Sequence, residues 1–254
     1  MFNKILIVYS EKESKNAKVI NQIKKILNKK IKKIVCVRNL QFNLFKDIDL
    51  VITIGGDGTF IRAASFIKQT PILGINSESK TSEGALTSIN ESEINSILKI
   101  LENPKIIKRK RIEIEKNNVI LDKLALNDVF IGSQNQFHTS RYEIKFNNQK
   151  EEQRSSGVLI ASGSGSSAWY KSAGGEIFNY NSEDLHFIVR EVYKGRIFNP
   201  KIIKGKIKPQ DNFEITSKMH NFGVIALDSN NIYEFRFGDT CKIKISKIDL
   251  NVLT

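Results

Sequence analysis

Leu50–Ile54, an apolar run of strand type, leads straight into Gly55-Gly56-Asp57-Gly58-Thr59-Phe60, and a helical pattern follows over 59–68. No other stretch limits the fold so closely. Three glycines in four positions let the backbone turn sharply and approach a ligand. A strand that ends in such a turn and opens a helix presents bare N–H groups, and the helix dipole makes that end an anion site. Asp57 lies inside this cradle. A carboxylate where phosphate should bind implies a group that takes a proton, or holds a metal, beside a phosphoryl group.

Around this turn the chain alternates strand and helix signals. Apolar runs at 4–9, 33–37, 50–54 and 72–75 read as strands. Ala17, Ile20, Ile23 and Leu27 fall at helical spacing within 14–30, as do Ile94, Ile97, Leu98 and Leu101 within 92–102. Alternation of this kind predicts an α/β domain with a parallel sheet, whose ligands gather at the carboxyl ends of the strands. After Pro104 the texture changes to short runs of period two, at 106–115, 123–131, 141–146, 157–162 and five more between 201 and 246. The expected organisation is an α/β domain over 1–105 and a mostly antiparallel β domain over 106–254. The last residues are free to pack back on the first domain.

The chain of 254 residues carries 40 basic and 27 acidic residues, a net charge of +13. Such a field attracts polyanions. The basic runs at 24–33, 105–111 and 201–208 are nevertheless scattered and have no interleaved aromatics, so the excess reads as a bias of composition. Cys36 and Cys241 form no CxxC pair and read as buried hydrophobes. His138, His186 and His220 offer no zinc spacing. No apolar run approaches the roughly 20 residues that span a bilayer. The opening MFNKILIVYS has a strand pattern, not a secretory or transit one. These features predict a cytoplasmic protein.

Two further constellations carry polar chemistry. Ala125-Leu126-Asn127-Asp128-Val129 sets an amide and an acid into an apolar strand, a pair suited to the hydroxyls of a ribose. Residues 155–169 run from Ser155-Ser156-Gly157 through an apolar strand into Ser162-Gly163-Ser164-Gly165-Ser166-Ser167-Ala168-Trp169, followed by Ser172-Ala173-Gly174-Gly175. Small residues permit close approach, hydroxyls supply uncharged donors and acceptors, and the indole of Trp169 offers a stacking face for a base.

In this order, GGDGT, an Asn-acid pair and a Gly/Ser loop ending in Ala-aromatic, the chain resembles the NAD kinase family. Motifs cover about residues 50–180. Within the family it looks most like the mitochondrial-type branch, through the longer segment GINSESKTSEGAL at 74–86, Ser155-Ser156-Gly157, Ile188-Val189-Arg190-Glu191 and Gly195-Arg196-Ile197-Phe198. The resemblance implies that Asp57 is the catalytic base toward the adenosine-ribose 2′-hydroxyl of NAD. It assigns Gly55, Gly56, Gly58 and Thr59 to the donor's phosphates. Asn127, Asp128, Ser164, Ser167, Ala168, Trp169 and Ser172 are assigned to NAD. Arg62, one turn into the following helix, suits either phosphate or solvent. Asp128 stands where the family has Glu, Trp169 where it has Tyr, and Gly163 where many members have Pro. Ser156 replaces a carboxylate linked to the nicotinamide side, and Ala85 replaces an aromatic.

The activity implied is transfer of a phosphoryl group from ATP or polyphosphate to NAD with Mg²⁺ or another divalent cation. The assembly implied is a homodimer or homotetramer, and neither a membrane nor a nucleic acid is an expected partner. Two alternatives stay open from the residues alone. A diacylglycerol- or sphingosine-type lipid kinase shares the GGDGT loop but needs an apolar slot. A non-catalytic basic nucleotide- or nucleic-acid-binding module would use the charge but not Asp57.

Overall fold

The computed structural model describes residues 2–254, and for 13–15 the backbone only. Contacts divide the chain into two units, 1–109 with 248–254, and 110–247.

The first unit is built on a mostly parallel sheet. Its early elements are β1 (Ile5–Tyr9), α1 (Glu13–Leu27), β2 (Ile31–Cys36), β3 (Leu50–Gly55), α2 (Asp57–Ala64) and β4 (Ile72–Asn76). They are followed by β5 (Ile89–Asn90), α3 (Ile97–Glu102) and β6 (Ile106–Arg109). The sheet order begins β2-β1-β3-β4 and continues through the C-terminal strand Leu250–Leu253 to β6. β1 therefore has β2 on one side and β3 on the other. The chain reverses its winding at the β1/β3 boundary, where α/β sheets open a crevice at their carboxyl ends. β1, β3 and β4 are buried along almost their whole length, as their unbroken apolar runs require.

Helices cover this sheet less simply than the spacing predicts. α1 turns Val19, Ile23 and Leu27 inward, with Ile20 half-buried and Ala17 exposed. Asn16 is also fully buried. The predicted helix over 92–102 is a 3₁₀ turn at Glu91–Ser96 followed by α3. That over 59–68 begins instead at Asp57 and ends at Ala64. The first sheet also takes in Ile106–Arg109, which the sequence assigns to the β domain, and Leu250–Leu253. The sequence assigns no strand to Leu250–Leu253 and expects only that the last residues can pack back on the first domain.

The second unit holds two antiparallel sheets of six strands. One runs in the order Gln149–Ser155, Ser140–Phe146, Phe213–Ser217, Thr240–Ile245, Ile112–Lys116, Val119–Ile120. The other runs Lys204–Ile207, Leu185–Arg190, Gly157–Ala161, Asp128–Ser133, Gly223–Leu227, Asn231–Glu234. Ile112, Ile114, Ile144 and Ile243 of the first share one apolar core with Val129, Ile131, Val158 and Phe187 of the second. Part of the lysine excess is absorbed on the opposite face. Lys242 and Lys244 pair across strands with Glu115 and Glu113 at 3.0 and 3.1 Å. Such exposed pairs set register more than they stabilise.

Candidate active site

The glycine turn closes the carboxyl end of β3, and each of its first two glycines has a steric reason. A Cβ on Gly55 would stand 2.5 Å from Thr59 Oγ1 and 3.0 Å from Ser10 Cβ, at the end of β1. A Cβ on Gly56 would stand 2.5 Å from Ser82 Oγ. Gly58 is different, since a Cβ there meets nothing within 4 Å. Its flank is open, which is what approach of a ligand to the backbone requires.

Asp57 is the first residue of α2, with Gly56 as its N-cap. Its carboxylate is held by the segment that follows β4. Leu86 N–H donates to Oδ1 at 2.9 Å and Ala85 N–H to Oδ2 at 3.1 Å, with Ser82 Oγ at 3.4 Å from Oδ2. Two amides on separate oxygens fix the plane of the group and leave further lone pairs for another donor. The cradle is not wholly bare, because Asp57 N–H donates to Ser82 Oγ at 3.1 Å. A hydroxyl thus rests where an anion's oxygen would. Arg62 lies in the last turn of α2, partly buried.

Beside the turn lies a polar cluster that sequence reasoning does not find. Ser10 Oγ donates to Glu78 Oε1 at 2.7 Å, and Lys12 Nζ donates to Glu78 Oε2 at 2.6 Å. Asn16 Nδ2 donates to Ser10 O and Oγ, and its Oδ1 accepts from Ser77 Oγ. A buried amide inside a lysine-rich helix is costly unless bonded, and here it ties the ends of β1 and β4 together.

In the second unit the strand Asp128–Ser133 is central and fully buried. Asn127 precedes it, so only the acid of the pair lies within the strand, where the sequence predicts both. Ser162 N–H donates to Asn127 O at 2.9 Å, and a Cβ on Gly165 would come within 2.0 Å of that same oxygen. The Gly/Ser loop therefore closes directly on Asn127 and brings the buried Ser164 beside it. Asn127 Oδ1 is buried with no hydrogen-bond partner, an acceptor waiting for a donor.

The rest of the loop is less closely gathered. Ser167 and Ala168 are exposed. Ser172, also exposed, turns its hydroxyl toward Ala168 O within the short helix Trp169–Ser172. Trp169 is not a free stacking face. Its ring packs on Phe130 at 5.5 Å, and the Arg190 guanidinium lies 5.1 Å from its centroid. A separate cavity of about 760 Å³ in this unit is lined by Ser156, Arg141, Arg154, Phe137 and Tyr193, and by none of the NAD-assigned residues.

The residue that organises the Asn-acid pair is Asp228. Its Oδ2 accepts from Leu126 N–H at 2.7 Å, and its Oδ1 accepts from Asn127 and Asp128 N–H at 2.7 and 3.1 Å. Burial, reinforced by the Asp228 carboxylate, pushes Asp128 up to about 7. Burial raises Asp228 to about 6, opposed by the three amides and the buried Arg111. Both carboxyls are pushed upward by burial, and only Asp228 has amides and a cation that oppose it.

This has a consequence for stability. The folded Asp128 carboxyl titrates near 7 against an ordinary value of 3.8. The protonated form is therefore favoured by folding, and its contribution is full below about pH 4 and lost as pH rises through 7. Asp128→Asn, neutral and of similar shape, should raise the melting midpoint by several degrees at pH 8 and leave it nearly unchanged at pH 4.5. Melts of both proteins at the two pH values decide this. An equal shift at both would remove titration as the cause.

Comparison with known proteins identifies the family and the fold. Residues 6–106 match the family model of the ATP-NAD kinase N-terminal domain. An NAD kinase from Methanosarcina acetivorans is 31% identical over 208 residues, which cover 80% of this chain and 72% of that one. A probable NADH kinase from Oryza sativa subsp. japonica is 27% identical over 278 residues, covering 98% of this chain and 85% of that one. In fold, the chain is similar to an NAD kinase from Archaeoglobus fulgidus, solved in complex with ATP (TM-score 0.78, 20% identity, 98% of this chain and 93% of that one). It is equally similar to yeast NADH kinase, solved with NADH (TM-score 0.79, 14% identity, 99% and 83%).

A carboxylate fixed in a glycine turn at the switch point of a parallel sheet, with a β-sandwich unit beside it in sequence, defines a class of phosphotransferases acting on hydroxyl groups. The chain belongs to the NAD kinase family. That membership sets aside the lipid-kinase and non-catalytic alternatives.

Proposed function

We propose that this NAD kinase moves the terminal phosphoryl group of ATP, or of polyphosphate, onto the 2′-hydroxyl of the adenosine ribose of NAD. Asp57 takes the hydroxyl proton as the new O–P bond forms and the bond to the leaving phosphate breaks. The observation that carries this reading is the aim of Asp57, held by the Ala85 and Leu86 amides at the end of β3. Gly55, Gly56, Gly58, Thr59 and Arg62 are the proposed contacts of the donor's phosphates, with the open flank of Gly58 as the approach. Asn127, Asp128 and Ser164 are the proposed inner contacts of NAD, and Ser167, Ala168, Trp169 and Ser172 its outer ones. The unsatisfied Asn127 Oδ1 and the Asp128 carboxylate suit sugar hydroxyls.

Among the described residues no three His, Cys, Asp or Glu side chains cluster to hold a metal. Mg²⁺ fits such a site when phosphate oxygens and water supply most of its ligands, and when bound it neutralises charge on the donor. ATP as donor is supported by the complex of the Archaeoglobus fulgidus relative. The branch we propose is the mitochondrial-type one, and the probable NADH kinase of rice makes NADH as well as NAD an acceptor to be assayed. A homodimer or homotetramer in the cytoplasm completes the proposal. Among the described residues no helix is long and apolar enough to cross a membrane.

The test is incubation of the purified chain with Mg²⁺, NAD or NADH, and ATP or polyphosphate, with the product read by an NADP-specific dehydrogenase. Absence of NADP and NADPH with every pair would overturn the reading.

A further inference from the structure

We infer that Lys12 is a donor-phosphate residue, positioned for that task by Glu78 and Ser10. The inference rests on the reading of the glycine turn as the donor-phosphate site. β1 and β3 meet at the reversal of winding, and their carboxyl ends carry Ser10 and Gly55-Gly56 side by side. Glu78, just beyond β4, brings its Cβ within 3.9 Å of the position a Cβ would take on Gly56. Its carboxylate reaches Ser10 Oγ at 2.7 Å, and Ser10 Cβ is itself 3.0 Å from the position a Cβ would take on Gly55. Only 12% of the Glu78 side chain is exposed, and a carboxylate so placed would repel a polyphosphate.

Lys12 removes this conflict. Its ammonium sits 2.6 Å from Glu78 Oε2, while Ser10 Oγ, itself held by the buried Asn16, fixes Oε1. An ammonium has three N–H donors, and one goes to Glu78. Half of the Lys12 side chain is open to solvent, so the ammonium is accessible to a further acceptor. The backbone cradle is neutral, and Arg62 lies a turn away along α2. A triphosphate at the glycine turn thus meets one preset cation at the β1 end, in a charge-assisted bond. Anchoring by Glu78 removes most of the entropy a free lysine loses on binding.

Calorimetric titration of the whole protein with Mg-ATP, without NAD, is the test. Lys12→Ala should weaken ATP binding by about tenfold or more, the scale of a lost charge-assisted bond. Lys12→Arg should stay within about threefold of wild type, because it keeps a donor and the charge. The KM for NAD in the coupled assay should be unchanged in both. ATP binding by Lys12→Ala as tight as wild type, an equal rise in the KM for NAD, or no binding of Mg-ATP by the wild type overturns the inference. Wild type that binds Mg-ATP but makes no NADP would instead refute the acceptor assignment and leave Lys12 standing.

Discussion

Asp57→Asn is expected to lower kcat by on the order of 10²–10⁴, the usual contribution of a positioned base, with little loss of Mg-ATP affinity. The amide is nearly isosteric with the carboxylate but takes no proton at neutral pH. Its remaining oxygen can still accept Leu86 N–H, while its nitrogen would face Ala85 N–H, which now donates to Oδ2. One hydrogen bond is lost, so the structural cost is about 1 kcal/mol and the variant stays folded. ATP binding should hold steady or tighten, because a negative charge beside the triphosphate is gone. Coupled NADP assays, thermal melts and Mg-ATP titration separate the three effects. Turnover within tenfold of wild type would refute the role of base. Lost turnover with equally lost ATP affinity would move Asp57 from chemistry to donor binding.

The Asp57 turn was legible because its flanks are. Leu50–Ile54 and Ile72–Ile75 are short, nearly continuous apolar runs bounded by turn residues, as strands buried on both faces are. What aims the carboxylate was not legible. Ser82, Ala85 and Leu86 come from a polar segment 25 to 29 residues on, with no periodicity to mark it. Asn16 was hidden for a related reason. In a helix with lysines at 15, 18, 24 and 25, an asparagine reads as surface, yet it is fully buried because Ser10 and Ser77 satisfy it. The packing of Trp169 is not legible either. An aromatic closing a Gly/Ser loop suggests an open stacking face, but Phe130, on the neighbouring strand, supplies apolar surface that the ring covers.

Asp228 shows the limit most clearly, and its removal should have the second large effect. In sequence Asp228-Ser229-Asn230 is a turn signal, and both Asp228 and Ser229 do take left-handed φ, of 50° and 58°. The same carboxylate, fully buried, reaches back 100 residues or more to collect three amides of Leu126–Asp128. Asp228→Ala would strand those three donors and remove a buried carboxylate that Arg111 attracts. Loss of one member of a buried charge set costs about 3–5 kcal/mol, a large share of the stability of an ordinary domain. Denaturant unfolding should show that loss, and NAD affinity should fall with it because Asn127 and Asp128 lose their anchor. Asp228→Asn provides the version that folds. It keeps one acceptor for the Asn127 and Asp128 amides but removes the charge that adds to burial in pushing Asp128 upward. The pH at which stability declines through Asp128 titration should therefore move down in Asp228→Asn, while burial still holds it above the ordinary carboxylate value. Stability of Asp228→Ala within about 1 kcal/mol of wild type, or an unmoved pH profile in Asp228→Asn, would mean that the Asn-acid pair is held by something other than this buried carboxylate.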